Sequence, residues 1–237
     1  MKRELQQQCV PEVQKIGFPN VIMPGEVRND LYLTLDRGNF DKSGKSAARN
    51  IEVTVILIDQ TGKVVENCIF YSAGARGKSK TALPILYHNN APIWNETIRL
   101  QVPIEKFNNG HIRMEFRHCS AKDKNDKKLL GFAFVHLMEM DETTIKDGSH
   151  TLCLYKCEDP GRFEKSAIYL AMPSKLSEVT SMEQVTLSQG FVRSAKENIT
   201  ISTKLVSTKL TQNVDLQSLL QGSHQGWVGG SAGERLA

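Results

Sequence analysis

The sequence has no long hydrophobic run: no window approaches the roughly 18 consecutive apolar residues of a membrane-spanning helix. Its N-terminus, MKRELQQQCVPEVQK, lacks the apolar stretch of a signal peptide. The expectation is a cytoplasmic chain whose contact with membranes is peripheral. Catalytic signatures are also missing. There is no P-loop, no G-x-S-x-G elbow and no HExxH. His118 and Cys119 are adjacent, but neighbours on a strand point to opposite faces, which argues against a Cys–His pair. Cys153 and Cys157 on one strand would stand ~13 Å apart, too far to share a metal. The expectation is therefore a chain that is not an enzyme, with no cofactor and no metal site. The five cysteines, Cys9, Cys68, Cys119, Cys153 and Cys157, are odd in number and widely spread, so they read as buried thiols rather than a disulfide framework.

What the chain does have is concentrated positive charge. Residues 41–49 (DKSGKSAAR) carry three cations and one anion, and residues 76–80 (RGKSK) carry three cations. Together they sum to +5, while the whole chain is +4. Both stretches contain Gly and Ser and lie between apolar runs, as loops that meet an anion would. Neither holds an aromatic residue, so base stacking is unsupported and nucleic acid is not the expected anion.

The apolar pattern from residue 31 has period two, in runs at 31–35, 51–59, 64–71, 81–88, 93–102, 111–119, 129–138 and 150–157. In 111–119, Ile112, Met114 and Phe116 alternate with Arg113, Glu115 and Arg117. Short runs at this spacing predict an all-β, antiparallel eight-stranded β-sandwich, with Pro84 marking an edge strand. Trp94, in NAPIWNE, is expected in the core. The predicted division is a lead-in over 1–25, the sandwich over 26–175, a linker and the start of a helical region over 176–221, and a disordered tail over 222–237. The short, partly helical extension rests on Leu210, Val214 and Leu220, and the chain reads as cut off where a second region begins.

Strand parity then orients the loops. If every strand reverses direction, loops 1–2, 3–4 and 5–6 share one rim. That rim gathers Lys42, Lys45 and Arg49, then Arg76, Lys78 and Lys80, then Lys106, Asn108 and Asn109. Ammonium and guanidinium groups, with Gly44 and Gly77 opening the backbone, suit a phosphorylated headgroup. Calcium is not expected, because only Asp41 and Glu105 stand there against seven cations. AKDKNDKK (121–128) falls at the opposite end and reads as a solvated tip. The alternative is a protein-interaction scaffold whose basic loops merely solvate.

IMPGEVRNDLYLTLDRGNFDKSGKSAARNIEVTV, LYHNNAPIWNETIRLQVPIEKF, HIRMEFRHCSAKDK, KKLLGFAFVHLM and STKLTQNVDLQSLL resemble the dedicator-of-cytokinesis (DOCK) family of guanine nucleotide exchange factors. FRHCS, with Cys119, is closer to the subfamily of the third and fourth mammalian members. The resemblance covers residues 16–221 and implies the first DOCK homology region, a β-sandwich of the calcium/lipid-binding type. It implies binding of phosphatidylinositol 3,4,5-trisphosphate and recruitment to the plasma membrane. Lys42 and Lys45 fall in the headgroup-binding loop, and a further basic residue of loop 3–4 is Lys80 or Lys78. Rac- and Cdc42-type GTPases would be partners only through an exchange domain that this chain lacks.

Overall fold

Alternating β-branched and apolar residues form strands because each pleat sends successive side chains to opposite faces. The computed structural model describes residues 23–40, 49–71, 76–120, 127–157, 161, 167–179 and 190–218. Among the described residues nine strands form, against the eight expected: β1 (Asn29–Asn39), β2 (Ile51–Ile58), β3 (Ile69–Phe70), β4 (Lys80–Ala82), β5 (Ile93–Gln101), β6 (His111–Cys119), β7 (Lys127–His136), β8 (Gly148–Cys157) and β9 (Phe191–Ser207). They are joined antiparallel in the order β3-β5-β1-β9-β8-β7-β6-β2-β4. β7 and β8 share a single registered pair, Phe132 with Tyr155, so the sheet folds there into two layers. Leu31, Leu33, Leu35, Ile98, Leu100, Ile199 and Ile201 from one layer meet Val53, Val55, Ile112, Met114 and Phe116 from the other. Trp94 is buried among them, as expected.

Three expectations change. The seventeen-residue β9 lies between β1 and β8 inside its layer, so residues placed beyond the predicted 26–175 sandwich, in the linker and start of a helical region over 176–221, belong to the sheet. Its Ile199 and Ile201 close the core, which explains why the layer needs it. The run at 81–88 yields a strand only to Ala82, because Pro84 has no N–H to donate and ends the ladder. The run at 64–71 shrinks to Ile69–Phe70. Residues 167–179 also pack on the sandwich: Tyr169 stacks edge-on against Phe132 and Phe134 on the outer face of β7. A short helical turn at 214–218 follows β9, with the Asn213 side chain capping the backbone N–H groups of Asp215 and Leu216.

Candidate functional site

β1 finishes and β2 begins at one end of the sandwich, called here the upper end. Registers fix the remaining directions. β5 starts there, with Ile93 opposite Arg37, and β6 ends there, with Ile51 opposite His118. The connection holding AKDKND (121–126) therefore leaves and rejoins the sheet at the upper end, beside the ends of the 41–48 stretch. The connection from β5 to β6, with Lys106, lies at the lower end: Lys106 pairs with Asp59 at 2.8 Å, just past the foot of β2. This reverses two expectations made from parity.

The cause is a reversal that the strand count missed. After β3 the chain returns alongside it. Ile69 and Lys78 exchange both backbone hydrogen bonds at 2.9 Å before the chain bends at Ser79 and pairs with β2 as β4. Gly77 permits this return. A Cβ there would stand 2.1 Å from the Asn67 carbonyl oxygen, so the glycine serves a backbone contact rather than a phosphate. Every later strand is consequently inverted relative to the expected count.

The predicted site residues therefore divide. Lys42 and Lys45 lie outside the described residues, but the positions flanking their stretch, Phe40 and Arg49, are at the upper end. Arg49 is half-buried there and pairs with Glu197 at 3.4 Å; Lys156 reaches the same carboxylate at 2.5 Å. Lys78 and Lys80 are exposed in the lower half. Lys80 faces Ile56, seven residues along β2 from Arg49, which is roughly 20 Å at ~3.3 Å per residue. Lys78 and Lys80 thus do not converge with Arg49.

The upper end is organised by Asn50, which is 4% exposed. Its backbone N–H donates to His118 Nδ1 at 3.1 Å, and its carbonyl accepts from Cys119 N at 2.9 Å. Its side-chain Nδ2 donates to the Cys119 carbonyl at 3.0 Å, and Oδ1 accepts from His88 N at 3.0 Å. The ends of three connections, at Asn50, His88 and Cys119, thus meet at one residue. Asn90 adds a second tie, accepting from Arg49 N at its side chain and from Phe40 N at its carbonyl. His88 has φ +50°, a left-handed conformation within the 83–92 connection. Beside it, Tyr87 is 64% exposed, and Ile93 nearby is 63% exposed. The apolar pattern alone puts Tyr87 inside a strand, and Ile93 opens β5. The signal that takes Tyr87 out of its strand is Pro84 before it and the turn residues His88, Asn89 and Asn90 after it.

Three cysteines bear on chemistry. Burial pushes the Cys68 thiol up to about 12 and raises Cys119 and Cys153, so these sulfurs stay protonated and poorly nucleophilic. Among the described residues, no three His, Cys, Asp or Glu side chains converge on a metal position. No described helix is long and apolar enough to cross a membrane.

Residues 24–215 match the family model described as the C2 domain in Dock180 and Zizimin proteins. The chain is 48% identical over 208 residues to dedicator of cytokinesis protein 3 of Homo sapiens, covering 88% of this chain and 10% of that protein. It is 45% identical over 209 residues to dedicator of cytokinesis protein 4 of Homo sapiens, again covering 88% and 10%. Among solved structures, a C2 domain of plant Extended Synaptotagmin 1 aligns at a TM-score of 0.44 and 11% identity, covering 78% of this chain and 98% of that one. This chain spans a tenth of the length of the curated relatives it matches. With a family model covering most of its length and relatives near half identical, the chain belongs to the family of C2 domains in Dock180 and Zizimin proteins, within the dedicator-of-cytokinesis proteins and the subfamily of their third and fourth members.

Proposed function

We propose that this chain is the membrane-targeting module of a DOCK-type guanine nucleotide exchange factor and that its upper end binds phosphatidylinositol 3,4,5-trisphosphate. The observation that carries this reading is the Asn50–Cys119 tie, which brings the flanks of two lysine-bearing stretches together. Residues 41–49 and 121–128 each sum to +2 in formal charge, although Glu52 holds Lys127 at 2.8 Å and Glu197 holds Arg49 at 3.4 Å. Lys42 and Lys45 supply headgroup contacts, with Arg49 at their edge. The 121–128 stretch, expected as a solvated tip, joins them. Tyr87 and Ile93 add exposed apolar surface at the same end, as at a membrane interface where aromatic rings sit at headgroup depth. Lys78 and Lys80 fall outside this site. The intact protein would move from cytoplasm to plasma membrane and act on Rac- or Cdc42-type GTPases through its exchange domain.

Vesicle co-sedimentation tests the reading. Trisphosphate vesicles should bind the chain without calcium and release it as salt rises, since exposed charges are screened beyond ~8 Å at physiological ionic strength. Lys42→Ala with Lys45→Ala should weaken binding at least tenfold, because each charged hydrogen bond is worth ~1.5–3 kcal/mol. Lys78→Ala with Lys80→Ala should leave it nearly unchanged. Equal losses from both pairs would mean a diffuse net-charge effect. Equal binding to neutral vesicles would favour the scaffold alternative.

A further inference from the structure

The lower end holds a cavity of 930 Å³ between the β5–β6 connection, the β7–β8 connection and residues 170–178. Its size falls within the ~300–1,000 Å³ of ligand sites. Three thioethers line it, from Met138, Met140 and Met172. Met140 is fully exposed at the tip of a turn that Glu142 closes in a left-handed conformation, φ +59°. Unbranched Met side chains adapt to varied partners and are enriched at interfaces.

The charge around this cavity opposes that of the chain. Glu139, Glu142 and Glu178 line it against one ammonium, Lys175. Lys175 is bound to Glu139 at 2.5 Å, and Glu178 is fixed by the backbone N–H groups of Ser174 and Lys175. The lining therefore nets −2 with His136 neutral, in a chain of +4. An apolar, adaptable floor with an acidic border fits a peptide that offers apolar anchors beside Lys or Arg.

We propose that this methionine-lined cavity is a docking site for an amphipathic, cationic peptide segment of a partner protein. The site lies at the opposite end from the lysine-bearing rim, so one molecule presents a lysine-bearing rim at one end and an acidic-bordered cavity at the other. A chain held to a membrane by its upper end would keep the cavity facing solution. The proposal goes beyond the lipid reading and stands without it.

The test is fluorescence anisotropy of the 237-residue chain with two labelled peptides a dozen residues long. Both carry Leu at helical i, i+3, i+4 and i+7 positions; one has Lys elsewhere and the other Glu. The Leu/Lys peptide should bind saturably and the Leu/Glu peptide at least tenfold more weakly. Met140→Ser and Glu142→Lys should each reduce Leu/Lys binding about tenfold, and Glu142→Lys should improve Leu/Glu binding. Circular dichroism confirms that each variant is folded. Trisphosphate-vesicle binding of both variants should match the parent chain, and Lys42→Ala with Lys45→Ala should leave peptide binding intact. Equal binding of the two peptides, or undiminished Leu/Lys binding by both folded variants, would overturn the proposal.

Discussion

β2 is bracketed by two polar hubs, Asn50 before its first residue and Asp59 after its last, and they do one task with different chemistry. Asn50 ties three connections with a neutral amide. Asp59 ties its own connection with a carboxylate, accepting from Thr61 N, Thr61 Oγ1 and Lys63 N, and it draws Lys106 across from the β5–β6 connection. The Lys106 ammonium and then the Thr61 hydroxyl hold Asp59 well below the usual carboxylate range. An amide hub fixes backbone without engaging a cation. A carboxylate hub fixes backbone, neutralises a lysine and makes the fold sensitive to acid. The number of lysines near a rim is therefore a poor guide to its free charge. Parity counts Lys106 among the anion-binding groups, yet an internal carboxylate already holds it.

The largest test of this contrast is Asn50→Ala. It leaves the Cys119 carbonyl and the His88 N–H without their side-chain partner, at ~1–3 kcal/mol per orphaned group. A loss of about 2–4 kcal/mol is expected in urea unfolding, a large fraction of an ordinary domain's stability. That loss should not vary with pH between 5 and 8. A loss below 1 kcal/mol would show that the three connections hold one another without the hub.

Acid should affect the lower end first. His111, in register with Ile58 at the foot of β2, is buried against Tyr169, its Nε2 lying 2.6 Å from the phenol oxygen. Burial, and then the charges of His136 and Arg113, push it down to about 3. Its ordinary value is ~6.5, so below that pH the unfolded chain takes up a proton that the folded chain refuses. Stability should fall as pH drops from ~6.5, by up to ~1.4 kcal/mol per pH unit for one proton. His111→Leu should flatten that decline. Asp59 acts lower. Its stabilisation is present above the ordinary carboxylate value of ~3.9 and is lost as pH falls toward its depressed folded value. Asp59→Asn should flatten the curve only below ~4. Parallel curves for parent and both variants would refute the assignment of acid sensitivity to the lower end.

Much of this was legible in the sequence. The alternation at 51–59, 93–102 and 111–119 marks β2, β5 and β6 because each buries one face and pairs with a neighbour. β9 carries the same signal in Ile199, Ile201 and Thr203, but thirty-three residues separate it from β8. Its pairing with β1 spans more than 150 residues, which local periodicity does not encode. The return beside β3 was hidden for another reason. RGKSK has no apolar alternation, and its pairing depends on a missing Cβ at Gly77 against the Asn67 carbonyl. A single hidden reversal left most strands correctly identified and still put every later connection at the wrong end. The candidate site was thus legible as a set of charges but not as an arrangement.

Tyr87 offers the smallest and most selective test. The backbone on both sides is fixed: the Leu86 carbonyl accepts from Ile51 N at 3.3 Å, and His88 N donates to Asn50. The ring itself is mostly in water, so Tyr87→Ser should change unfolding free energy by no more than about 0.5 kcal/mol, as for exposed substitutions generally. If the upper end meets a bilayer, the ring transfers to the interface, and its loss should weaken trisphosphate-vesicle binding about threefold to tenfold, equivalent to ~0.7–1.4 kcal/mol. The defect should persist at raised salt, whereas the Lys42 and Lys45 contribution should fade, because apolar transfer is not screened. A Tyr87→Ser defect that disappears with salt would mean that the ring only positions nearby charges. No defect at any salt, with the lysine effect intact, would leave the upper end as a purely electrostatic surface.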